Sequence, residues 1–588
     1  MATNSVTKAG SAPGLDVFKT PENPTFYSAN LYQSLDKSKQ EIRLIELSTQ
    51  AGDDDMLECK LLPATLLTDA RKQYLALSYC AGDPADTKKI LVNGVRCNIF
   101  ANLHHALVLA RRYWTRSSGR GPLRIWIDQL CINQHDLRER SHQVGFMRKI
   151  YESAERTLAC LSTSETSGEG LKWLNDLCDA FPFQEDDGTI LYNREYRLGT
   201  EKGAELQEAI WDTSEFEWPR DYKLEKWFHI CGYLQKHMFI EKFVNGWIAF
   251  YDVLTSPWWN RVWICQEFLV SSQLTFLFGN HFIPWEKCWR TMEAFCGTHK
   301  NYQIDRDAFL VYLGVSVGSP EDRQLCRILG MVSQRDHVRQ VNHVGVALRM
   351  KIRWTGSKDI IDLLSHSRSC KSSDDRDRVY AILGLASPGY RVFPDYSQDM
   401  TAAQVMLMTT KAIIDKEDSL YVLVSATMLV RSRNLDVPSW VVDWSSTEAS
   451  DIRNNFGGRR FHRLNWVPQE CPEHSFETIT NTFQHTEAHI LRVYGTFVTK
   501  VQRIPAVWPQ AEFAGAQGFH GSALVNISDG DELWILRGLG VPIILRPYRD
   551  GYLAISCAFL VGPNGEGFGT PVISTEEIRA NRSRIILY

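Results

Sequence analysis

The sequence has no apolar run near the roughly 18 residues that a membrane-crossing helix needs. Its nearest approach, Phe309–Val317, is far too short. An excess of one charge is missing too. The formal net charge is -4 over 588 residues, which leaves no electrostatic footprint for nucleic acid or an anionic membrane. The first residues are polar, with Pro13, Pro21 and Pro24 and no basic-then-apolar pattern, so the expectation is a protein of the reducing cytoplasm. There its 14 cysteines should be mostly free thiols. No C-x-x-C pair occurs: the nearest two cysteines, Cys288 and Cys296, are eight positions apart, and the adjacent His104 and His105 diverge on a helix. These spacings predict no metal site. A Walker-type phosphate loop is absent, and Gly565-Glu-Gly-Phe-Gly569 lacks the strand–loop–helix setting of a dinucleotide fingerprint. Internal repeats and low-complexity tracts are likewise missing.

What is present is ordinary globular material. An apolar fraction of 44% with 23% charged residues excludes wholesale disorder, and the length exceeds one hydrophobic core. Residues 1–40 are expected to be a flexible arm. Order is expected from Ile42-Arg-Leu-Ile-Glu46, an alternating strand pattern. Between Tyr74 and Ser162 strand and helix signals alternate. Tyr74–Tyr79, Arg124–Asp128 and Thr157–Leu161 are buried strands, and Lys89–Ile99 is a hairpin turning on Asn93-Gly94. Asn102 is expected to cap one helix, and Asn133 with Asp136 to start another. Strands separated by helices predict a parallel sheet with flanking helices.

Residues 163–255 break that rhythm and are expected to form a helical insertion. Ser256-Pro257 then opens a capped helix running through Phe268. Residues 281–430 are mainly helical, with a strong helix over Asp375–Leu385. Residues 431–588 are β-rich, with strands at Glu532–Arg537, Val541–Arg546 and Tyr552–Ser556.

Three separated segments resemble the fungal heterokaryon incompatibility (HET) domain. They are Tyr74-Leu-Ala-Leu-Ser-Tyr-Cys-Ala-Gly-Asp83, the long stretch Trp126-Ile-Asp-Gln-Leu-Cys-Ile-Asn-Gln134 with Glu139-Arg140 and Ile150-Tyr151, and Trp258-Trp-Asn-Arg-Val-Trp-Ile-Cys-Gln-Glu267. The resemblance covers roughly residues 70–270, and the domain is expected to occupy residues 41–280. Ala81 departs from it, since the family usually has tryptophan there. The resemblance implies a role in non-self recognition and programmed cell death, with a protein partner or self-assembly, including a homo-oligomer. It also implies a TIR-like α/β fold. Some TIR enzymes hydrolyse NAD, with a glutamate four positions after a tryptophan, the spacing of Trp263 and Glu267 here. NAD is then a candidate substrate rather than a tightly bound cofactor. The alternative is a non-catalytic signalling module, and a third possibility is recruitment to another fungal process such as a biosynthetic cluster.

Cleaving the nicotinamide–ribose bond develops positive charge on the ribose, which a fixed carboxylate would stabilise. Glu267 is the catalytic candidate, and a salt bridge to Arg261 or Arg140 is its structural alternative. At the carboxyl edge of a parallel sheet, Ser78, Tyr79, Gly82, Asp83, Asp128 and Asn133 are candidate NAD-binding positions. Asp128 serves equally as a helix cap, and Asn133 and Gln134 suit capping better than ligand contact. Cys131 suits a small buried hydrophobe. Gly314-Val-Ser-Val-Gly318 matches a nucleophile elbow, but Ser319-Pro320 interrupts the helix that should follow. The run Arg111, Arg112, Arg116, Arg120 and Arg124 is a helix end and solvated loop.

Overall fold

The computed structural model describes residues 21–49, 56–117, 121–180, 234–304, 306–330, 335–427, 433–446, 468, 470–481, 486–504, 511–516, 520–523, 527–561 and 573–588. Its first sheet contains β1 (Ile45–Leu47), β2 (Glu58–Leu61), β3 (Leu75–Ser78), β4 (Thr87–Val92), β5 (Val95–Phe100), β6 (Leu123–Trp126), β7 (Arg156–Cys160), β8 (Leu274–Phe278) and β9 (His281–Pro284). Their spatial order is β9-β8-β7-β3-β6-β1-β2-β4-β5. The sheet is mixed, which corrects the expectation of a parallel one. Strands β8, β7, β3 and β6 run parallel as a central block, and β2 pairs parallel with β4. Strand β1 pairs antiparallel with β6, and tight hairpins at β4–β5 and β8–β9 impose antiparallel pairing near both edges. The β4–β5 turn uses Asn93 and Gly94 at φ 51° and 76°, the left-handed pair that a two-residue hairpin requires.

Helices α1 (Ala101–Arg116), α2 (Leu137–Gly145), α3 (Met147–Ser153), α4 (Glu169–Ala180), α5 (Glu241–Leu254) and α6 (Ile264–Leu269) accompany this sheet. Asn102 lies inside α1 rather than capping it, because the chain leaves β5 directly into the helix at Ala101. Asp136 caps α2, accepting from the amides of Arg138 and Glu139. Helices α4 and α5 bracket the expected insertion, most of which lies outside the described residues. They close tightly because Gly246 sits under the Trp173 ring, where a Cβ would fall 1.9 Å from Cδ1.

The expected continuous helix over 256–268 is interrupted. Ser256 caps a single 3-10 turn, Pro257–Asn260; Arg261 is then extended, and α6 starts at Ile264. The break has a cause: Arg261 bridges to Lys371, with the Val262 amide donating to the Lys371 carbonyl at 3.1 Å. Phe309–Leu313 is helical, so the strand that a nucleophile elbow needs is not there and that motif is dismissed.

Downstream, α7 (Arg335–Ile352), α8 (Ile360–Ser367) and α9 (Asp377–Leu383) lead to a nine-stranded sheet between Ser475 and Leu587, antiparallel except where Tyr552 meets Leu587. The three strands expected there occupy Glu532–Leu536, Pro542–Tyr548 and Gly551–Val561. Buried apolar side chains from Phe26 to Leu587 form one contiguous cluster. Within the described residues no helix is long and apolar enough to cross a membrane.

Part of the expected N-terminal arm is built in. Phe26, on the short helix Pro24–Ser28, is buried. The Asn23 amide covers edge strand β5, accepting from the Asn98 N–H at 2.6 Å and donating to the Asn98 carbonyl at 2.8 Å. Residues 1–20 lie outside the described residues.

Two buried charge arrangements join these parts. Arg43 meets Glu139 in a double hydrogen bond at 2.6 and 2.9 Å, with both side chains nearly inaccessible. Replacing Arg43 by Met alone strands the carboxylate, and denaturant unfolding should show a loss of about 3–5 kcal/mol. The double change with Glu139→Leu should recover most of it; equal losses in the single and double variants would refute the pairing.

On α9, Asp377 accepts from Tyr396 Oη at 2.6 Å and Trp263 Nε1 at 3.2 Å, and the Arg140 guanidinium lies over the Tyr396 ring. Burial pushes Asp377 up to about 6, Asp374 adding to the rise while Arg140, Tyr396 and Trp263 oppose it. The folded chain thus holds this proton more tightly than the unfolded chain does. The associated stability is complete below about pH 4 and disappears as pH rises through about 6. Relative to Asp377→Asn, the native chain should therefore lose on the order of 2 kcal/mol between pH 4 and 6.5, measured by chemical denaturation. A difference that stays flat over that window would contradict the assignment.

Candidate functional site

Central placement of β3 determines what gathers at the strand ends. All four of its residues are buried, with β7 on one side and β6 on the other. The three strands are parallel, so their carboxyl ends open in one direction, the edge where α/β sheets usually place ligands. Ser78 and Tyr79 stand at the end of β3, and Asp128 stands just beyond β6.

Glu267 approaches this edge from α6. Its carboxylate accepts from three donors: Ser78 Oγ, Arg261 Nη1 at 2.9 Å and Arg261 Nη2 at 3.0 Å. Trp258 Nε1 donates to Ser78 Oγ at 2.7 Å, extending the network. Glu267 is 2% exposed and Ser78 1%. Burial pushes the Glu267 carboxyl up from its ordinary range, and the Arg261 charge and the hydrogen bonds from Ser78 and Arg261 work against that rise. The extended backbone at Arg261, set by its bridge to Lys371, lets its guanidinium turn back onto a carboxylate six residues later.

Asp128 completes the cluster. It accepts from Tyr79 Oη at 3.1 Å and from the Gln129 amide at 2.7 Å, and it is only half-buried. Buried Tyr79 and Tyr151 each feel the charges of Asp128, Arg261 and Glu267. Ser78, Tyr79, Asp128 and Glu267 are therefore brought together.

The remaining candidates stand apart. Gly82 has φ +85° in an exposed loop, where a Cβ would meet Asn102 Nδ2 at 2.4 Å. Asp83 is exposed and accepts from the Ala85 amide at 2.9 Å, forming a local turn. Asn133 donates its backbone N–H to Glu139 Oε1 at 2.7 Å and belongs with the Arg43 pair. It borders a cavity of about 140 Å³ shared with Tyr32, Arg43, Asp136, Glu139 and His142. That volume is well short of the roughly 300–1,000 Å³ that ligand pockets usually offer.

Trp263, four positions before Glu267, donates from Nε1 to Asp377. Arg261 is the partner of Glu267; Arg140 faces Tyr396. Trp258 and Tyr151 escaped the sequence reading. Both lie in the matching segments, but aromatic residues there suit packing as readily as hydrogen bonding. Cys131 is buried, and burial pushes its thiol up to about 12, which removes it as a nucleophile. As arranged, the Glu267 carboxylate is saturated with donors and shut off from solvent. It braces β3 against α6.

Comparison with known proteins agrees with this layout. The family model described as "Heterokaryon incompatibility protein (HET)" matches residues 74–267, from the residue preceding β3 to the clamped glutamate. The heterokaryon incompatibility protein 6, OR allele, of Neurospora crassa is 26% identical over 452 residues, covering 72% of this chain and 61% of that protein. This chain therefore matches less than two thirds of the relative's length. No solved structure matches it. With the matched segment spanning the parallel strands and ending on the residue that braces them, residues 74–267 of this chain are similar to the fungal heterokaryon incompatibility family.

Proposed function

We propose that this protein acts in fungal non-self recognition, triggering cell death through its HET domain as a non-catalytic signalling module in the cytoplasm. The carrying observation is the state of Glu267: three donors occupy its carboxylate and 2% of the residue is exposed. A carboxylate that stabilises a ribosyl cation must face that ring, and this one faces Arg261 and Ser78. On this reading the domain is a rigid body that signals by contact with a protein partner or further copies of itself. The relative's name, a heterokaryon incompatibility protein, supports the biological setting.

A second reading, NAD hydrolysis, draws on the convergence of Ser78, Tyr79, Asp128 and Glu267 at the carboxyl ends of parallel strands. It requires the Arg261 clamp to open so that Glu267 meets substrate, with half-buried Asp128 available to ribose hydroxyls. A distant relation to TIR domains would fit that chemistry.

Nicotinamide release separates the two. The full chain is incubated with NAD at concentrations that permit assembly, in parallel with a growth assay in a fungal host. The signalling reading expects growth arrest with no nicotinamide above the protein-free control. Release that vanishes in Glu267→Gln, in a variant whose thermal midpoint shows it folded, would overturn that reading and establish the enzyme.

A further inference from the structure

Spacing along the chain predicts no metal ligands, yet folding gathers four soft or borderline donors beside α6. Cys265 comes from α6, and His366 and Cys370 from the end of α8 and the turn after it. One ligand atom of each lies within 4.8 Å of the other two. His343 of α7 stacks on His366, with ring centroids 5.0 Å apart and planes 5° from parallel, and its side chain also reaches Cys370. His343 Nε2 lies 2.9 Å from the Trp259 carbonyl. The carbonyl only accepts, so Nε2 carries the proton and donates. In the neutral ring that leaves Nδ1, the nitrogen near Ser369, with its lone pair.

From this arrangement we infer that Cys265, His343, His366 and Cys370 form a structural zinc centre, which locks α6 and the Arg261 turn to the helices that follow the HET domain. The donor set argues for the ion. Two thiolates and two imidazoles are a common tetrahedral zinc set. A carbonyl accepting from the far nitrogen of a ligating histidine is the usual outer support of such sites. Bond lengths near 2.0–2.3 Å put ligand atoms about 3.3–3.8 Å apart, so Cys265, His366 and Cys370, already within 4.8 Å of one another, close on one ion by small side-chain rotations, and His343 turns in as the fourth ligand. Binding Zn(II) releases both thiol protons to solvent, with no change of oxidation state. The resulting centre, two negative thiolates on a divalent cation, has no net charge. That suits a place where Val262, Ala381 and Trp263 surround Cys370.

Position gives the centre its consequence. Lys371, next to Cys370, is the residue that bridges Arg261, and its amide donates to the Asn260 carbonyl. Metal ligation at Cys265 and Cys370 therefore secures both sides of the extended turn that aims Arg261 at Glu267. The centre stands whether the domain signals or catalyses, because it concerns the brace rather than any reaction.

The test uses the full chain purified with reductant. Elemental analysis should find about one zinc per chain. Exchange for Co(II) should give thiolate-to-cobalt charge transfer and the visible bands of a tetrahedral ion. A strong chelator should lower the thermal midpoint. Cys370→Ser, His366→Gln and His343→Gln should each abolish the cobalt spectrum while keeping the far-ultraviolet circular dichroism of the native chain, which assigns the ion to these residues even if Cys265→Ser fails to fold. Protein that retains no zinc and takes none up from micromolar Zn(II) would overturn the proposal. So would a cobalt spectrum unchanged in those three variants, or an intact mass two hydrogens low that maps to a Cys265–Cys370 disulfide.

Discussion

Burying a carboxylate at the ends of a sheet's central strands is expensive unless its oxygens are matched, and Glu267 is matched by a guanidinium and a hydroxyl. Much of the local architecture serves that match. Ser78 must stand at the end of a central strand, and Trp258 must hold its oxygen from below. Arg261 must be extended, which breaks what would otherwise be one continuous helix. The extension is maintained from outside the matched domain by Lys371. A single ion pair thus links strand order, helix length and the fold of residues a hundred positions downstream.

The region after the domain is consequently part of its structure. Helix α9 gives Asp377 to Trp263 and Tyr396, and Arg148 of α3 donates to the Gly384 carbonyl at 2.8 Å. Tyr396 returns to α2, its amide donating to Ser141 Oγ at 3.1 Å. Helices α2 and α3 and the residue that precedes α6 are thereby tied to the second half by polar contacts.

Local pattern recovered the elements well and their relations less well. Leu75–Ser78, Leu123–Trp126 and Arg156–Cys160 announce themselves as short apolar runs, and Asn93-Gly94 as a hairpin. The parallel expectation failed where short strands such as Ile45–Leu47 join from an edge, since a three-residue alternation says nothing about direction. The Ser256–Phe268 helix was legible at both ends and wrong in the middle, because the partner that extends Arg261 is far along the chain. At the candidate site, the spacing of Trp263 and Glu267 matched that of TIR enzymes, but six-residue α6 begins after Trp263 and that ring goes to Asp377. Arg261 was legible as a salt-bridge partner because opposite charges close in sequence usually find each other. The Cys265–His366–Cys370 group was invisible to spacing rules, which look for pairs on one element.

The Asn23 amide on β5 bears on how this molecule meets others. An outermost strand ordinarily offers free N–H and C=O groups to any extended chain, and proteins tend to blunt such edges. Here a side chain imitates the missing neighbour at Asn98, engaging both of its main-chain groups. A second molecule cannot extend the sheet past β5 by strand addition unless it first displaces the segment carrying Asn23 and Phe26. Growth of an ordered assembly at this margin would therefore be gated by the release of that short segment.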